Sequence, residues 1–177
     1  VRTSYVLPLK WPEARSLEEP TRYLTWLRER AEVIVVDGSP GPVFDSHARR
    51  WAGLVTHVRP DPVFRFVNGK VNGVATGMQL ASHEAVVIAD DDVRYDAVAL
   101  ERVTALLAEY DLVRPQNYFD PMPWHAVWDT ARILLNRAFG NDFPGTLGVR
   151  RSAFEATGGY DGNVLFENLE LIRTIAA

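Results

Sequence analysis

The chain contains no cysteine. That excludes a disulfide framework, a thiolate metal site and a cysteine nucleophile, and it fits a reducing, cytoplasmic setting. Lysine is nearly absent as well: of 19 basic residues only Lys10 and Lys70 are lysines, and the rest are arginines. The formal net charge is -4, and this lack of basic excess argues against a dedicated nucleic-acid binder. No run approaches the roughly 18 consecutive apolar residues of a membrane span, and no signal peptide opens the chain. Ser39, Ser46 and Ser152 lie outside any GxSxG, so a serine hydrolase has no support. His47, His57, His83 and His125 show no metal-ligand spacing and read as structural or surface residues.

What is present is 177 residues, 47% of them hydrophobic, enough for one domain with a sizeable core. The opening VRTSYVLPLKW and the ending LELIRTIAA, inside a helical pattern, give the expectation of a domain from a longer protein. Membrane association through flanking segments is compatible with that expectation.

Strand and helix patterns alternate along the chain. Ser4 to Leu9 reads as a strand, and Thr21 to Ala31 as a helix burying Leu24, Trp26 and Leu27. VIVVDGSP, from Val33 to Pro40, is a continuous apolar run ended by an acid and turn residues, the form of a strand buried on both faces. A helix over Asp45 to Ala52 and a strand over Val55 to Arg59 follow. Asn68 to Ser82 reads as a glycine-punctuated start to a helix, leading into the strand EAVVIADDDV. Ala97 to Tyr110 predicts a helix with Val98, Val103, Leu106 and Leu107 on its apolar stripe. Asp111 to Tyr118 reads as a strand and Pro123 to Phe139 as a helix. A strand over Thr146 to Val149 and helices over Ser152 to Thr157 and from Phe166 complete the pattern. This alternation predicts an α/β fold, a Rossmann-like, mainly parallel sheet flanked by helices. Right-handed crossovers put the strand C-terminal ends on one edge, where ligands of open α/β sheets bind. Asp37 and Asp90, ending two such strands, are therefore expected to face one crevice.

Asp90, Asp91 and Asp92 follow VVIA directly, and three adjacent carboxylates repel one another unless a divalent cation, which takes oxygen ligands, offsets them. One acid would suffice to cap the next helix. Asp37 suits either a turn-forming role before Gly38-Ser39-Pro40 or hydrogen bonding to a base or ribose. Asn68, Gly69, Lys70, Asn72 and Gly73 suit a flexible turn that delivers Lys70 and backbone amides to phosphates, although no Walker A sequence is present. Glu167 and Glu170 stand three apart on one helix face; one could act as a general base, or both could serve a solvated helix start. Trp124 and Trp128 read as core packing, with an acceptor platform or membrane-interface contact as the alternative.

In order, SYVLPLKW, VIVVDGS, NGKVNGVATG, VVIADDDV, GTLGVRRSAFEATGGYDG and FENLEL resemble the family 2 glycosyltransferases of the glycosyltransferase-A fold, over nearly the whole chain. The resemblance implies a nucleotide-sugar-binding half over 1–95 and an acceptor-side half over 96–177. It implies a metal-dependent, inverting transfer of a sugar from a UDP- or GDP-sugar to an acceptor hydroxyl, on an acceptor that is unidentified and that a lipid-linked or membrane-proximal compound would satisfy. Pro8, Leu9, Asp37 and Lys70 would contact the donor, as would Asp90 and Asp91. Asp90 and Asp92 would hold Mg²⁺ or Mn²⁺ as the two acids of the DxD motif. Gly145 to Arg151 and Gly158-Gly159 would frame the donor sugar. The family often reads Glu-Asp at its last motif, with the Asp as base; this chain has Glu167-Asn168. Either Glu167 or Glu170 supplies the base, or the domain is a catalytically impaired nucleotide-sugar binder. A nucleotidyltransferase is a further alternative, but the glycine-rich, arginine-containing loop expected after the first strand is not found in LPLKWPEARS.

Overall fold

A computed structural model describes residues 3–118, 124, 126–138, 144–164 and 167–176. In chain order the elements are β1 (Thr3–Leu9), α1 (Glu18–Leu27), β2 (Glu32–Asp37), α2 (Gly41–Trp51), β3 (Thr56–Val58), α3 (Gly69–Leu80) and β4 (Ala85–Ala89). These are followed by α4 (Ala97–Leu106), β5 (Leu112–Val113), α5 (Ala126–Ala138), β6 (Thr146–Arg150), α6 (Arg151–Ala156) and α7 (Glu167–Ala176).

The strands form one sheet in the order β3-β2-β1-β4-β6-β5. β3, β2, β1 and β4 are parallel, while β6 runs antiparallel to both β4 and β5. This is the expected α/β architecture, and the β4–β6 pairing joins residues from both halves of the chain in one sheet. Side chains alternate across a strand with a period of two, so each buried strand feeds two cores. Tyr5, Leu7, Val33, Val35 and Val87 pack on one face with Leu24, Trp51 and Leu100, beneath α1, α2 and α4. Val6, Ile34, Val36, Val86 and Ile88 pack on the other face with Val74, Phe154 and Leu171, beneath α3, α6 and α7.

Several expectations change. α2 starts at Gly41 rather than Asp45, because Pro42 is tolerated in a first turn whose N–H groups have no intrahelical partner. β5 is two residues long rather than eight, and it sits at the sheet edge, paired on one side. On α4 the buried stripe is Leu100, Val103 and Leu107, while Val98 is 74% exposed. The glycine-punctuated stretch is helical from Gly69, with Asn68 as its cap, so it forms no flexible turn. Its glycines serve close packing: a Cβ on Gly77 would overlap Val6 Cγ1, and one on Gly73 would lie 3.0 Å from Pro8 Cβ. Trp124 and Trp128 are 81% and 74% exposed, which overturns the core-packing expectation. Phe166 and His125 lie outside the described residues. Among the described residues, no helix is long and apolar enough to cross a membrane.

Candidate functional site

The C-terminal edge of the parallel strands opens into a crevice of about 550 Å³. Pro8, Leu9 and Lys10 come from the end of β1, Val36 and Gly38 from the end of β2, and Asp90 and Asp91 from the turn after β4. Gly69, Lys70 and Asn72 of α3, Glu167 of α7 and Pro60 close it. Six of the residues expected from sequence meet here: Pro8, Leu9, Lys70, Asp90, Asp91 and Glu167.

Lys70 is the centre of the charge arrangement. Its Nζ lies 2.5 Å from Asp90 Oδ1 and 2.8 Å from Glu167 Oε1. Asn68 accepts the Lys70 backbone N–H at 3.0 Å through Oδ1, and its Nδ2 donates to Glu167 Oε2 at 3.2 Å. One residue thus caps α3 and steers Glu167. Burial alone would push Lys70 down, but Asp90 and Glu167 hold it above the ordinary lysine value, so the ammonium stays charged. Burial pushes Glu167 up, yet Lys70 and Asn68 hold it below the usual carboxylate range. Asp90 moves up despite Lys70, through burial and the charges of Asp92 and Glu167. One ammonium is therefore shared between two carboxylates, with the charge of Asp92 also felt at Asp90, leaving the cluster with an excess of negative charge.

The acidic turn is fixed at each end. Asp90 N–H donates to Gly145 O at 2.9 Å, which ties the turn to the segment entering β6. Trp11 Nε1 donates to Asp91 Oδ2 at 2.5 Å, so Asp91 is held by the protein itself. Arg94 donates to the carbonyl oxygens of Asp91 and Val93 at 2.8 and 2.7 Å while pairing with Glu19. Asp92 is exposed and pairs with none of the described residues.

Asp37 is not in the crevice wall. Val33, Val35 and Asp37 share the face of β2 beneath α2, whereas Val86, Ile88 and Asp90 share the opposite face, toward α3 and α7. Asp37 is fully buried and saturated: Ser39 N–H donates to Oδ1 at 2.9 Å, and His47 Nδ1 and His57 Nε2 lie 2.7 and 3.0 Å from Oδ2. Against the effect of burial, these hydrogen bonds hold its carboxyl well below the usual range. Glu170 is half-buried one turn beyond Glu167 and does not line the crevice either.

Asn168 points elsewhere. Its Nδ2 donates to Pro144 O at 2.6 Å, it is 7% exposed, and its Oδ1 has no partner among the described residues. It fastens α7 to the segment that reaches Gly145 and, through it, Asp90. The residues not anticipated from sequence are Lys10, Val36, Gly38, Pro60 and, as a steering group, Asn68. Lys10 carried a signal, being the other lysine in an arginine-rich chain and following Pro8-Leu9.

Two arrangements among the described residues could hold a cation. One is the expected pair of Asp90, which lines the crevice, and Asp92, which is exposed and is not among the residues lining it. Asp37, His47 and His57 form a group of three ligands behind it, with all three ligand atoms within 4.8 Å of one another.

No protein-family profile and no curated protein sequence matches this chain. Solved structures do. A mannosyltransferase from Pyrobaculum calidifontis, in complex with GDP-Man and Mn²⁺, is similar with a TM-score of 0.63 and 20% identity over 99% of this chain and 52% of its own. Mannosyl-3-phosphoglycerate synthase from Rubrobacter xylanophilus is similar with a TM-score of 0.58 and 18% identity, over 86% of this chain and 55% of its own. Glucosyl-3-phosphoglycerate synthase from Mycobacterium tuberculosis, in complex with Mn²⁺, UDP and glucosyl-3-phosphoglycerate, gives 0.60 and 21% over 86% and 58%. The chain spans little more than half the length of these structures, and its fold is that of the glycosyltransferase-A enzymes.

Proposed function

We propose that this chain is the nucleotide-sugar-binding, catalytic domain of an inverting glycosyltransferase that moves a sugar from a UDP- or GDP-sugar to an acceptor hydroxyl. The observation that carries the reading is the Lys70–Asp90–Glu167 cluster at the strand-end edge, within a crevice large enough for a nucleotide. The nucleobase packs against Pro8, Leu9 and Pro60, with the Gly38 backbone beside it. Lys70 and Lys10 face the diphosphate. Asp91, held by Trp11, is placed for the ribose or sugar.

Asp90 and Asp92 fit a divalent cation: both are oxygen donors, Asp92 pairs with none of the described residues, and the cluster carries more negative charge than Lys70 offsets. Mg²⁺ or Mn²⁺ bound there would neutralise charge on the leaving diphosphate. Glu167 is the general base that takes the acceptor proton, oriented by Asn68 and kept ionised by Lys70. Glu170 contributes to α7 rather than to the chemistry. The inward-facing amide of Asn168 supports a base one residue earlier than the family's Asp, rather than a base lost by substitution. GDP-Man and UDP are the nucleotides named in two of the similar structures, which supports a GDP- or UDP-sugar donor.

The test is a thermal-shift panel of UDP-, GDP- and dTDP-sugars with and without Mn²⁺. A ligand at a hundred times its Kd adds about 2.7 kcal/mol to stability, which for a chain of this size raises Tm by about 5–11 °C. The expected result is a metal-dependent shift with at least one nucleotide, lost in the Asp90→Ala plus Asp92→Ala double variant. No shift across the panel would end the donor-site assignment. A shift without nucleotide diphosphate release in the presence of varied acceptors would favour the impaired binding domain.

A further inference from the structure

The group formed by Asp37, His47 and His57 is unused by the chemistry above, although it lies directly behind the crevice. Its ligands come from three elements: the end of β2, the middle of α2 and the centre of β3. The side chains of Asp37, His47 and His57 are 0%, 2% and 5% exposed. Both imidazoles address the same carboxylate oxygen, at 2.7 and 3.0 Å, while the other oxygen takes Ser39 N–H. The walls are aromatic: Trp51 stacks on His47 at 4.8 Å, Trp11 meets its edge at 5.1 Å, and Phe44 stacks on His57 at 4.5 Å. Arg59, over Phe44, donates to Ser39 O instead of to Asp37.

Two physical features suit this group to a cation. First, a buried anion is costly unless paired, and among the described residues neither lysine nor arginine pairs with Asp37. Second, the three donor atoms lie within 4.8 Å of one another, with 2.7 and 3.0 Å from the imidazole nitrogens to the carboxylate oxygen, a gathering that small shifts would bring to the about 2.9–3.4 Å between adjacent ligands on metal–ligand bonds of about 2.0–2.1 Å. We propose that His47 Nδ1, His57 Nε2 and Asp37 Oδ2 form a second metal centre, for Zn²⁺ or a similar borderline transition ion. Two imidazole nitrogens with one carboxylate suit such ions; Mg²⁺ prefers an all-oxygen set.

The ion would join the end of β2 to β3 and α2, and its influence would reach the crevice through a short chain of contacts. Ser39 N–H is held by Asp37, Ser39 Oγ accepts Trp11 N–H at 2.9 Å, and Trp11 Nε1 holds Asp91. The centre is thus a positioning site for the acidic turn, chemically distinct from the Asp90–Asp92 pair.

Chelator-stripped wild-type chain, and the same chain carrying Asp90→Ala and Asp92→Ala, would be titrated with Co²⁺ and then Zn²⁺. The expected result is one equivalent of Co²⁺ with the visible absorption of nitrogen-ligated cobalt in both proteins, displaced by Zn²⁺. Zn²⁺ should raise Tm where the same concentration of Mg²⁺ does not. His47→Gln and His57→Gln, checked for folding by circular dichroism, should each lose the cobalt band. If the stripped wild-type protein keeps cobalt in its aqueous spectral form and gives no Zn²⁺ isotherm, the cluster is a hydrogen-bonded anchor and the proposal fails. A cobalt band that survives in folded His47→Gln or His57→Gln would also overturn it.

Discussion

Replacing Asn168 by Asp tests whether α7 begins with a structural amide or with a catalytic acid lost by substitution. In the wild-type chain Asn168 Nδ2 donates to Pro144 O at 2.6 Å in a site 7% exposed. An ionised carboxylate has no proton to donate and would set two oxygens against each other. Leaving the carbonyl and the new oxygen unpaired costs about 1–3 kcal/mol before any penalty for burying the charge. The introduced carboxyl can instead take up a proton and restore the hydrogen bond. From an ordinary aspartate value of about 3.9, that uptake costs about 4 kcal/mol at pH 7. The cheaper route sets the loss, so the variant should be about 2–4 kcal/mol less stable at pH 7. On the proton-uptake route the folded pKa lies above the unfolded one, and between them the folded state binds more protons. The variant's deficit is then small below about pH 4 and grows by up to about 1.4 kcal/mol per pH unit as pH rises toward the folded pKa. Urea denaturation of variant and wild type at pH 4.5 and pH 7 measures the difference at each pH. Equal stability at pH 7, together with a gain in sugar transfer, would refute the structural role of the amide and restore the lost-base reading.

Gly77→Ala should destabilise despite a helix preference of about 1 kcal/mol in favour of Ala, because the new Cβ meets Val6 Cγ1 on a fully buried strand; overpacking costs about 1–3 kcal/mol, and a rise in Tm would show that α3 and β1 are not in close contact. Lys70→Met removes the ammonium shared by Asp90 and Glu167, whose side chains are 34% and 15% exposed; solvent screening limits the stability loss to about 1–2 kcal/mol, and the nucleotide-induced thermal shift should vanish. An undiminished shift would remove Lys70 from the donor site. Burial pushes Glu32 up, but Ser4, Ser82 and His83 together hold it below the ordinary glutamate value. Its contribution is present above about pH 4.3 and is lost as pH falls through the depressed folded value, so Glu32→Gln should trail wild type at pH 6 and converge with it at pH 3. A gap of constant size would contradict that assignment.

The parts of the site that were legible in sequence follow from local pattern. A strand buried on both faces must be a continuous apolar run, and VIVVD and VVIAD mark both the strands and the acids at their ends. Lys70 was legible through the scarcity of lysine, and Glu167 through its place on a helix start. The flexible-turn reading of NGKVNGVATG failed because glycine marks a loop and a close helix–strand contact in the same way. Only the neighbour decides between them, and here it is β1, with Pro8 against Gly73 and Val6 against Gly77. Val98 and the tryptophan pair failed for a related reason. An apolar residue at helical spacing reports a stripe, but burial depends on which side another element covers.

The sequence by itself determined the order of elements, the parallel half of the sheet and the edge at which the acids gather. These depend on periodicities of two and 3.6, which are properties of neighbouring residues. Tertiary structure alone decided what each acid meets. Asp37 and Asp90 end equivalent strands, yet alternation turns Asp37 toward α2, where two histidines distant in sequence wait. It turns Asp90 toward Lys70 and Glu167, 20 and 77 residues away respectively. Which helix covers which face is set by the handedness and packing of the whole sheet, and that converts a row of acids into a crevice on one side and a histidine cluster on the other.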